Sequence, residues 1–180
     1  LKCISYEVRG RRYQAIGFAN LLGGYELRDN HSFKGTIAPK DITPIFTDKI
    51  INQIQPTCVF EGFMDFLSFL SMKEEVTSAC LVLNSVSNTA KAIRYMNTQG
   101  ISSVCTFLDN DDAGRRAVQE FARAGFKVED MSRYYRDFKD LNDFHVSRVR
   151  EQQKRKAQKQ THISITGQNK KSKQVKLKMK

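Results

Sequence analysis

The spacing of hydrophobic positions changes near residue 46 of this 180-residue chain. Before that point, apolar and polar residues alternate in short runs at residues 4–8, 13–18 and 25–28, with glycines between them. Alternation with a period of two, punctuated by glycine, predicts a small antiparallel sheet. We interpret residues 33–44 as a linker because glycine and proline interrupt them.

From residue 46 onward, short apolar runs alternate with segments of helical periodicity. Strands are predicted at residues 57–60, 79–83, 104–108 and 127–131. Helices are predicted at residues 47–53, 63–73, 88–99, 113–124 and 141–153. Strands that alternate with helices in this way predict an α/β fold, with a parallel sheet flanked by helices.

Charge is distributed unevenly along the chain, whose formal net charge is +11. Residues 151–180 hold ten Lys and Arg against one acid, whereas residues 1–150 hold twenty against eighteen. We therefore divide the chain into a small basic N-terminal subdomain (1–45), a catalytic α/β domain (46–153) and a basic tail (154–180). The tail is compatible with a basic hairpin or a disordered arm, and its Lys and Gln content favours disorder.

Cysteine spacing and hydropathy bear on two classes of protein. Cys3, Cys58, Cys80 and Cys105 form no Cys-x-x-Cys pair, so we expect reduced cysteines and no zinc knuckle. The longest hydrophobic run, residues 66–72, is shorter than the roughly 20 residues that a membrane span needs. With no signal peptide visible, we expect a cytoplasmic protein without a membrane partner. Because the chain starts with Leu1, we also expect it to be a fragment of a longer protein.

Carboxylates follow two of the predicted strands where each strand ends. Glu61 follows strand 57–60, and Asp109 and Asp111 follow strand 104–108. The carboxyl ends of parallel strands converge on one crevice, and two unit charges about 4 Å apart repel by roughly 4 kcal/mol at an effective dielectric near 20. A divalent metal removes that cost, so we predict that these three residues bind Mg²⁺ or Mn²⁺.

Other residues near these strand ends have two interpretations each. Asp65, one helical turn after Glu61, is either a support for the metal site or a partner of the helix dipole. Asp140 and Asp143 stand three apart at a predicted helix start and suit capping or metal support. Asp112 is predicted to cap the helix at 113–124, and Asn88 the helix at 88–99.

Basic residues interleave with aromatic ones in the N-terminal part of the chain. Arg11, Arg12, Arg28 and Lys34 are either a solvated face or contacts for the phosphates of a nucleic acid whose bases stack on nearby aromatic rings. Arg115 is expected either to contact phosphate or to pair with Glu120. A further expectation concerns Gly114, which lacks a side chain and lets a substrate backbone approach.

Taken together, these motifs resemble the Toprim domain shared by bacterial primases, topoisomerases and some nucleases. They are Glu-Gly-x-x-Asp at residues 61–65 and Asp-x-Asp-x-Ala-Gly at residues 109–114, each after a strand. Lys-Asp-Leu-Asn-Asp-Phe at residues 139–144 is similar to the close of the primase version. Residues 17–35 resemble the small basic subdomain of bacterial-type primases, with an insertion at residues 19–22. The resemblance covers residues 4–146.

The resemblance implies a primase-like nucleotidyltransferase that makes short RNA primers from ribonucleoside triphosphates on single-stranded DNA. Glu61, Asp109 and Asp111 would be its catalytic residues, with Glu61 as a metal ligand or a general acid and base. A Toprim nuclease and an inactive nucleic-acid-binding module are the alternatives. A topoisomerase is disfavoured because nothing resembles its cleavage domain with a nucleophilic Tyr.

The resemblance also implies partners beyond the template and nucleotides. A replicative helicase, or a replication protein of a plasmid or mobile element, is expected. Bacterial primases carry a zinc-binding module ahead of the Toprim core, and the scattered cysteines here cannot form one. We therefore expect this chain alone to initiate primers weakly.

Overall fold

The structure is a computed structural model that describes residues 1–29, 33–45, 48 and 55–158. Leu1–Asp143 form one compact unit, and a second unit begins at Phe144. The described part of the second unit, residues 144–158, is helical. No helix among the described residues is long and apolar enough to cross a membrane.

The N-terminal part forms the antiparallel sheet that the alternating pattern predicts. Its strands pair in the order β1-β2-β3-β4. A two-residue turn joins the first two strands, with positive φ at Arg9 (51°) and Gly10 (75°), the backbone that tight hairpins require. The strands are β1 (Lys2–Val8), β2 (Arg11–Ala19), β3 (Tyr25–Arg28) and β4 (Lys34–Ile37).

A second, five-stranded sheet carries the α/β part of the fold, in the order β5-β7-β6-β8-β9. Strands β6 to β9 pair in parallel, and β5 joins the edge antiparallel to β7. The fold class is therefore the one expected, with an added antiparallel edge. The strands are β5 (Thr43–Ile45), β6 (Thr57–Phe60), β7 (Cys80–Val82), β8 (Ser103–Phe107) and β9 (Lys127–Asp130).

The prediction of a linker at residues 33–44 is wrong, because this stretch contributes β4 and the start of β5. Gly35 lies under the ring of Phe33, and a Cβ there would stand 2.7 Å from Phe33 Cζ. Pro44 lies in an edge strand, where a missing N–H is tolerated. Gly35 and Pro44 therefore lie within strands β4 and β5 and do not interrupt them.

Three helices agree with the predicted ones to within one residue at each end: α1 (Phe63–Met72), α2 (Thr89–Thr98) and α3 (Asp112–Arg123). Residues 141–158 are also helical and are called α4. The first five residues of the expected tail, 154–158, are therefore helical, and the remainder lies outside the described residues. The helix predicted at 47–53 also lies outside them, except for Asp48.

The core of the α/β part is apolar, as the sequence predicts. Phe60, at the centre of the sheet, contacts the rings of Phe66, Phe69 and Phe107 at centroid distances of 5.6, 5.1 and 5.0 Å. Buried residues of the predicted strands 57–60, 79–83 and 104–108 include Val59, Phe60, Leu81, Leu83, Val104, Phe107 and Leu108.

Aromatic rings join the N-terminal sheet to helix α1 of the α/β part. Phe18 of β2 stacks on Phe63 of α1 with centroids 5.0 Å apart, and it also contacts Phe66 at 6.0 Å. Phe18 and Phe63 are 7% and 1% exposed, so this contact excludes water. It holds β3, the next strand of the N-terminal sheet, beside the carboxyl end of β6.

The cysteines are free thiols, as expected. Cys58, Cys80 and Cys105 occupy register-matched positions on the neighbouring strands β6, β7 and β8. Cys58 and Cys80 are buried, which fits small core residues.

Candidate active site

A cleft of about 490 Å³ lies at the carboxyl ends of β6, β7 and β8 and gathers most of the predicted acids. Glu61 follows β6, and Asp109 follows β8 after Leu108. The acids that line the cleft are Glu61, Asp65, Asp109, Asp140 and Asp143. Parallel strand ends therefore bring together Glu61 and Asp109, which are 48 positions apart in sequence.

Glu61 and Asp109 are in direct contact. The backbone N–H of Asp109 donates to Glu61 Oε2 at 3.2 Å. Burial, followed by the charges of Asp109 and Asp111, raises the pKa of Glu61 to about 7. Burial also raises the pKa of Asp109, although Lys139 opposes the rise. Glu61 can therefore exchange a proton near neutral pH.

Asp111 has a structural role that the sequence pattern assigned to its neighbour. Its Oδ1 accepts the N–H groups of Ala113 and Gly114, both at 2.9 Å, which makes it the N-cap of α3. The prediction that Asp112 is the cap is wrong, because Asp112 is the first helical residue and pairs with Arg115. Asp111 is exposed and does not line the cleft.

Asn88 has the predicted position but not the predicted side-chain contact. It stands at the N-cap position of α2, but its side chain makes no capping hydrogen bond. Its Nδ2 donates instead to the carbonyl of Leu83 at 2.8 Å. The buried amide therefore ties the start of α2 to the end of β7.

The neighbouring backbone of the chain leaves no room for a side chain at Gly114. A Cβ at this position would stand 2.2 Å from the carbonyl oxygen of Asp109. The group that approaches Gly114 is thus the backbone of Asp109, where we expected a substrate. The close approach sets the first turn of α3 against the end of β8.

The segment with the primase-like motif, residues 139–143, is attached to α1. The N–H of Asn142 donates to Asp65 Oδ1 at 3.0 Å, and Ser68 Oγ donates to Asn142 Oδ1 at 3.0 Å. Burial, then the nearby charge of Asp140, raises the pKa of Asp65 to about 7. Asp140 also accepts the N–H of Asp143 at 2.7 Å, as a cap does. Asp65 therefore positions the motif in addition to standing in the first turn of α1.

Two of the predicted nucleic-acid contacts, Arg28 and Lys34, also line the cleft. They are register partners on β3 and β4. The guanidinium of Arg28 lies 5.4 Å from the ring centroid of Phe63 and donates to the carbonyl of Leu27 at 2.7 Å. Its side chain is 22% exposed, so it is largely fixed in place.

The other predicted basic residues lie outside the cleft. Arg11 and Arg12 follow the β1–β2 turn. Arg12 is four positions from Ile16, the register partner of Arg28, or about 13 Å along the strand. Arg115 is paired with Asp112.

Lys139 and Asn84 line the cleft although neither was predicted as a site residue, and Lys139 was identified only as the first residue of the primase-like motif. Lys139 Nζ lies 2.7 Å from Asp109 Oδ2 and 3.6 Å from Asp140 Oδ2. Asn84 has a φ of 63°, and its buried Oδ1 has no hydrogen-bond partner among the described residues. Asn84 follows β7, so the strand-end argument used for Glu61 could have found it.

The cleft suits a hard divalent cation in its donor chemistry. Carboxylate oxygens are the ligands that Mg²⁺ and Mn²⁺ prefer, and burial leaves these acids incompletely balanced in charge. No three His, Cys, Asp or Glu side chains of the described residues stand close enough together to hold an ion. Lys139 contacts Asp109, and Asp111 caps α3. The donors fit a metal, and Lys139 supplies part of the positive charge that a metal would bring.

Family comparison agrees with this geometry. The model of the family described as Toprim-like matches residues 58–145, and a domain of unknown function (DUF8464) matches residues 1–38. Residues 58–145 therefore form a Toprim-like domain. No curated protein matches the chain significantly.

Two solved structures with a similar fold come from bacteriophage T7. The primase fragment of the T7 primase-helicase protein matches with a TM-score of 0.53 and 21% identity, over 81% of this chain and 62% of that one. The second is a complex of the T7 lagging-strand DNA polymerase with primase domains of two gp4 subunits, bound to an RNA/DNA hybrid and dTTP. It matches with a TM-score of 0.50 and 20% identity, over 81% of this chain and 76% of that one. The chain thus has a fold similar to that of the T7 primase fragment and covers 62% of that fragment's length.

Proposed function

We propose that this chain is the core of a primase-like nucleotidyltransferase that joins ribonucleotides on a single-stranded DNA template. The observation that carries the proposal is the composition of one cleft. Strand-end carboxylates from the Toprim-like domain and the cations Arg28 and Lys34 from the N-terminal sheet line it together. A nucleoside triphosphate bound with a divalent cation presents the complementary charges.

The chain's residues have separate roles in this proposal. Glu61, Asp109 and Asp111 would hold Mg²⁺ or Mn²⁺, which would stabilise charge on the reacting phosphate when bound. As the alternative to holding the metal, Glu61, whose pKa burial raises to about 7, would accept a proton from the attacking 3′-hydroxyl. Arg28 and Lys34 would hold phosphates, and Asp65 would keep residues 139–143 in place.

The partners follow from the same proposal. Template DNA and ribonucleoside triphosphates are the substrates, with Arg11, Arg12 and Arg115 as outer phosphate contacts. The T7 protein in the first structural match is a primase-helicase, which supports a replicative helicase, or a plasmid or mobile-element replication protein, as a partner here. We place this activity in the cytoplasm.

Extension of an annealed RNA primer tests the proposal without requiring initiation. The chain is incubated with a short RNA annealed to a DNA template, labelled ribonucleotides, and Mg²⁺ or Mn²⁺. We expect template-directed lengthening of the RNA, which the Asp109→Asn variant loses. Shortened DNA would instead identify a Toprim nuclease. Binding with neither reaction would identify an inactive nucleic-acid-binding module.

A further inference from the structure

Lys139 stands where the carboxylates of the cleft need a positive charge. Its Nζ is 2.7 Å from Asp109 Oδ2 and 3.6 Å from Asp140 Oδ2, two acids from different loops. Asp109 is held at 10% side-chain exposure, where an unbalanced carboxylate is costly. The ammonium group therefore offsets part of the charge of the same acids that would hold a metal.

The backbone of Lys139 is held by hydrogen bonds, whereas most of its side chain is exposed to solvent. Its carbonyl accepts the N–H of Asn110 at 2.7 Å, and Asn110 Nδ2 donates to the carbonyls of Phe138 and Tyr135 at 2.8 and 3.0 Å. Tyr135 Oη donates in turn to the carbonyl of Leu108 at 2.8 Å. The Lys139 side chain is 57% exposed, so it can leave Asp109 without disturbing the loop.

We propose that Lys139 exchanges partners during the nucleotide cycle. It is the counter-ion of Asp109 and Asp140 in the metal-free cleft, and it binds the triphosphate of the nucleotide after a divalent cation takes its place. This inference rests on the proposed function. An ammonium and a divalent cation repel each other when they share one carboxylate, and a lysine is a compact charge suited to phosphate. Arg28 and Lys34 line the same cleft, so the displaced ammonium joins two other cations.

The exchange predicts effects of opposite sign on two ligands. Removing the ammonium frees Asp109 for the metal, so metal affinity rises. It also removes a phosphate contact, so nucleotide affinity falls. If Lys139 only supported the metal site, its removal would weaken both metal and nucleotide binding. If Lys139 were merely solvated, its removal would change neither affinity.

The test compares Lys139→Met and Lys139→Gln with the parent, and uses Lys127→Met, an exposed lysine of β9, as the matched control. Mn²⁺ affinity is measured by electron paramagnetic resonance of free Mn²⁺ without nucleotide, and ATP affinity by calorimetry with saturating Mn²⁺. For both Lys139 variants we expect Mn²⁺ to bind about two- to tenfold more tightly and ATP about tenfold more weakly. The Lys127 variant should match the parent.

Two results separate this inference from the function on which it rests. If the parent binds Mn²⁺ and Asp109→Asn weakens that binding, but both Lys139 variants bind Mn²⁺ no more tightly than the parent, the exchange is wrong and the metal site stands. Unchanged ATP affinity in those variants would equally overturn the exchange. If Asp109→Asn binds Mn²⁺ as the parent does, the proposed function and the exchange both fail. Unfolding midpoints of the variants in urea confirm that each is folded when assayed.

Discussion

At the scale of single residues, the acids of this chain differ in role although they share a charge. Glu61 and Asp109 meet across two strand ends, Asp65 fixes a neighbouring loop, and Asp111 caps a helix. The Asp-x-Asp spacing suggested that Asp109 and Asp111 are equivalent. The capping bonds of Asp111 distinguish the two, and this difference can be measured.

Replacing Asp111 by Asn and by Ala separates its two roles. Asn retains a capping oxygen, so Asp111→Asn should keep the stability of the parent while weakening Mn²⁺ binding, as Asp109→Asn should. Asp111→Ala should weaken Mn²⁺ binding too and also lose about 0.5–2 kcal/mol of unfolding free energy, because α3 loses its cap. Urea unfolding and Mn²⁺ titration of the three variants check this. Equal stability of Asp111→Ala and Asp111→Asn would refute the capping role.

Asp65 makes stability depend on pH. Its pKa of about 7 in the folded chain exceeds the ordinary value of 3.8, so between about pH 4 and 7 the folded state binds more protons than the unfolded state. The stability that it contributes is therefore full below pH 4 and is lost as the pH rises to 7. The Asp65→Asn variant does not have this loss. Its stability relative to the parent should therefore be greater at pH 8 than at pH 5.

Urea midpoints at the two pH values measure the effect of Asp65→Asn. Glu120→Gln, at an exposed position of α3, is the control. Its urea midpoint should differ from that of the parent by the same amount at pH 5 and at pH 8. If the difference between Asp65→Asn and the parent is the same at pH 5 and pH 8, the carboxyl group is not buried as described.

At the scale of elements, periodicity predicted most of the fold. The helices α1, α2 and α3 and the strand β6 follow regular apolar patterns, so their positions could be derived from the sequence. Strands β4 and β5 could not, because their glycine and proline resembled breakers. In addition, β5 pairs with β7, which is distant in sequence. The attachment of residues 139–143 to Asp65 and Ser68 is also a tertiary contact, and no local pattern encodes it.

Gly114 is the point at which α3 and β8 are set against each other. Gly114→Ala would place a Cβ against the carbonyl of Asp109, and backbone cannot yield as a flexible side chain does. We expect a loss of roughly 1–3 kcal/mol of unfolding free energy, together with weaker Mn²⁺ binding because Asp109 moves. Urea unfolding and Mn²⁺ titration test both effects. Parent-like values in both would contradict the close approach.

At the scale of the whole molecule, acids from one sheet and cations from the other line the same cleft. The strand-end rule predicted the acids, and the basic pattern included Arg28 and Lys34 among several candidates. The sequence could not rank those candidates, because tertiary contacts such as the stacking of Phe18 on Phe63 set which end of the N-terminal sheet stands at the cleft.

The basic residues after α4 should contribute affinity without specificity. Residues 159–180 hold seven lysines and no acid. Deleting them should weaken binding to single-stranded DNA and flatten its salt dependence, because each phosphate contact contributes about 0.7 to the slope of log K against log salt. Fluorescence titrations at several salt concentrations measure that slope. An unchanged slope would show that these lysines do not contact the nucleic acid.

The central claim is that the cleft binds a metal and a nucleotide as one unit. Calorimetry of ATP binding with and without Mn²⁺ tests it most directly, on the parent, Asp109→Asn and Arg28→Ala. We expect Mn²⁺ to strengthen ATP binding to the parent about tenfold or more, the strengthening to vanish in Asp109→Asn, and binding to weaken in Arg28→Ala. ATP affinity that is independent of Mn²⁺, or is the same in all three proteins, would contradict the account.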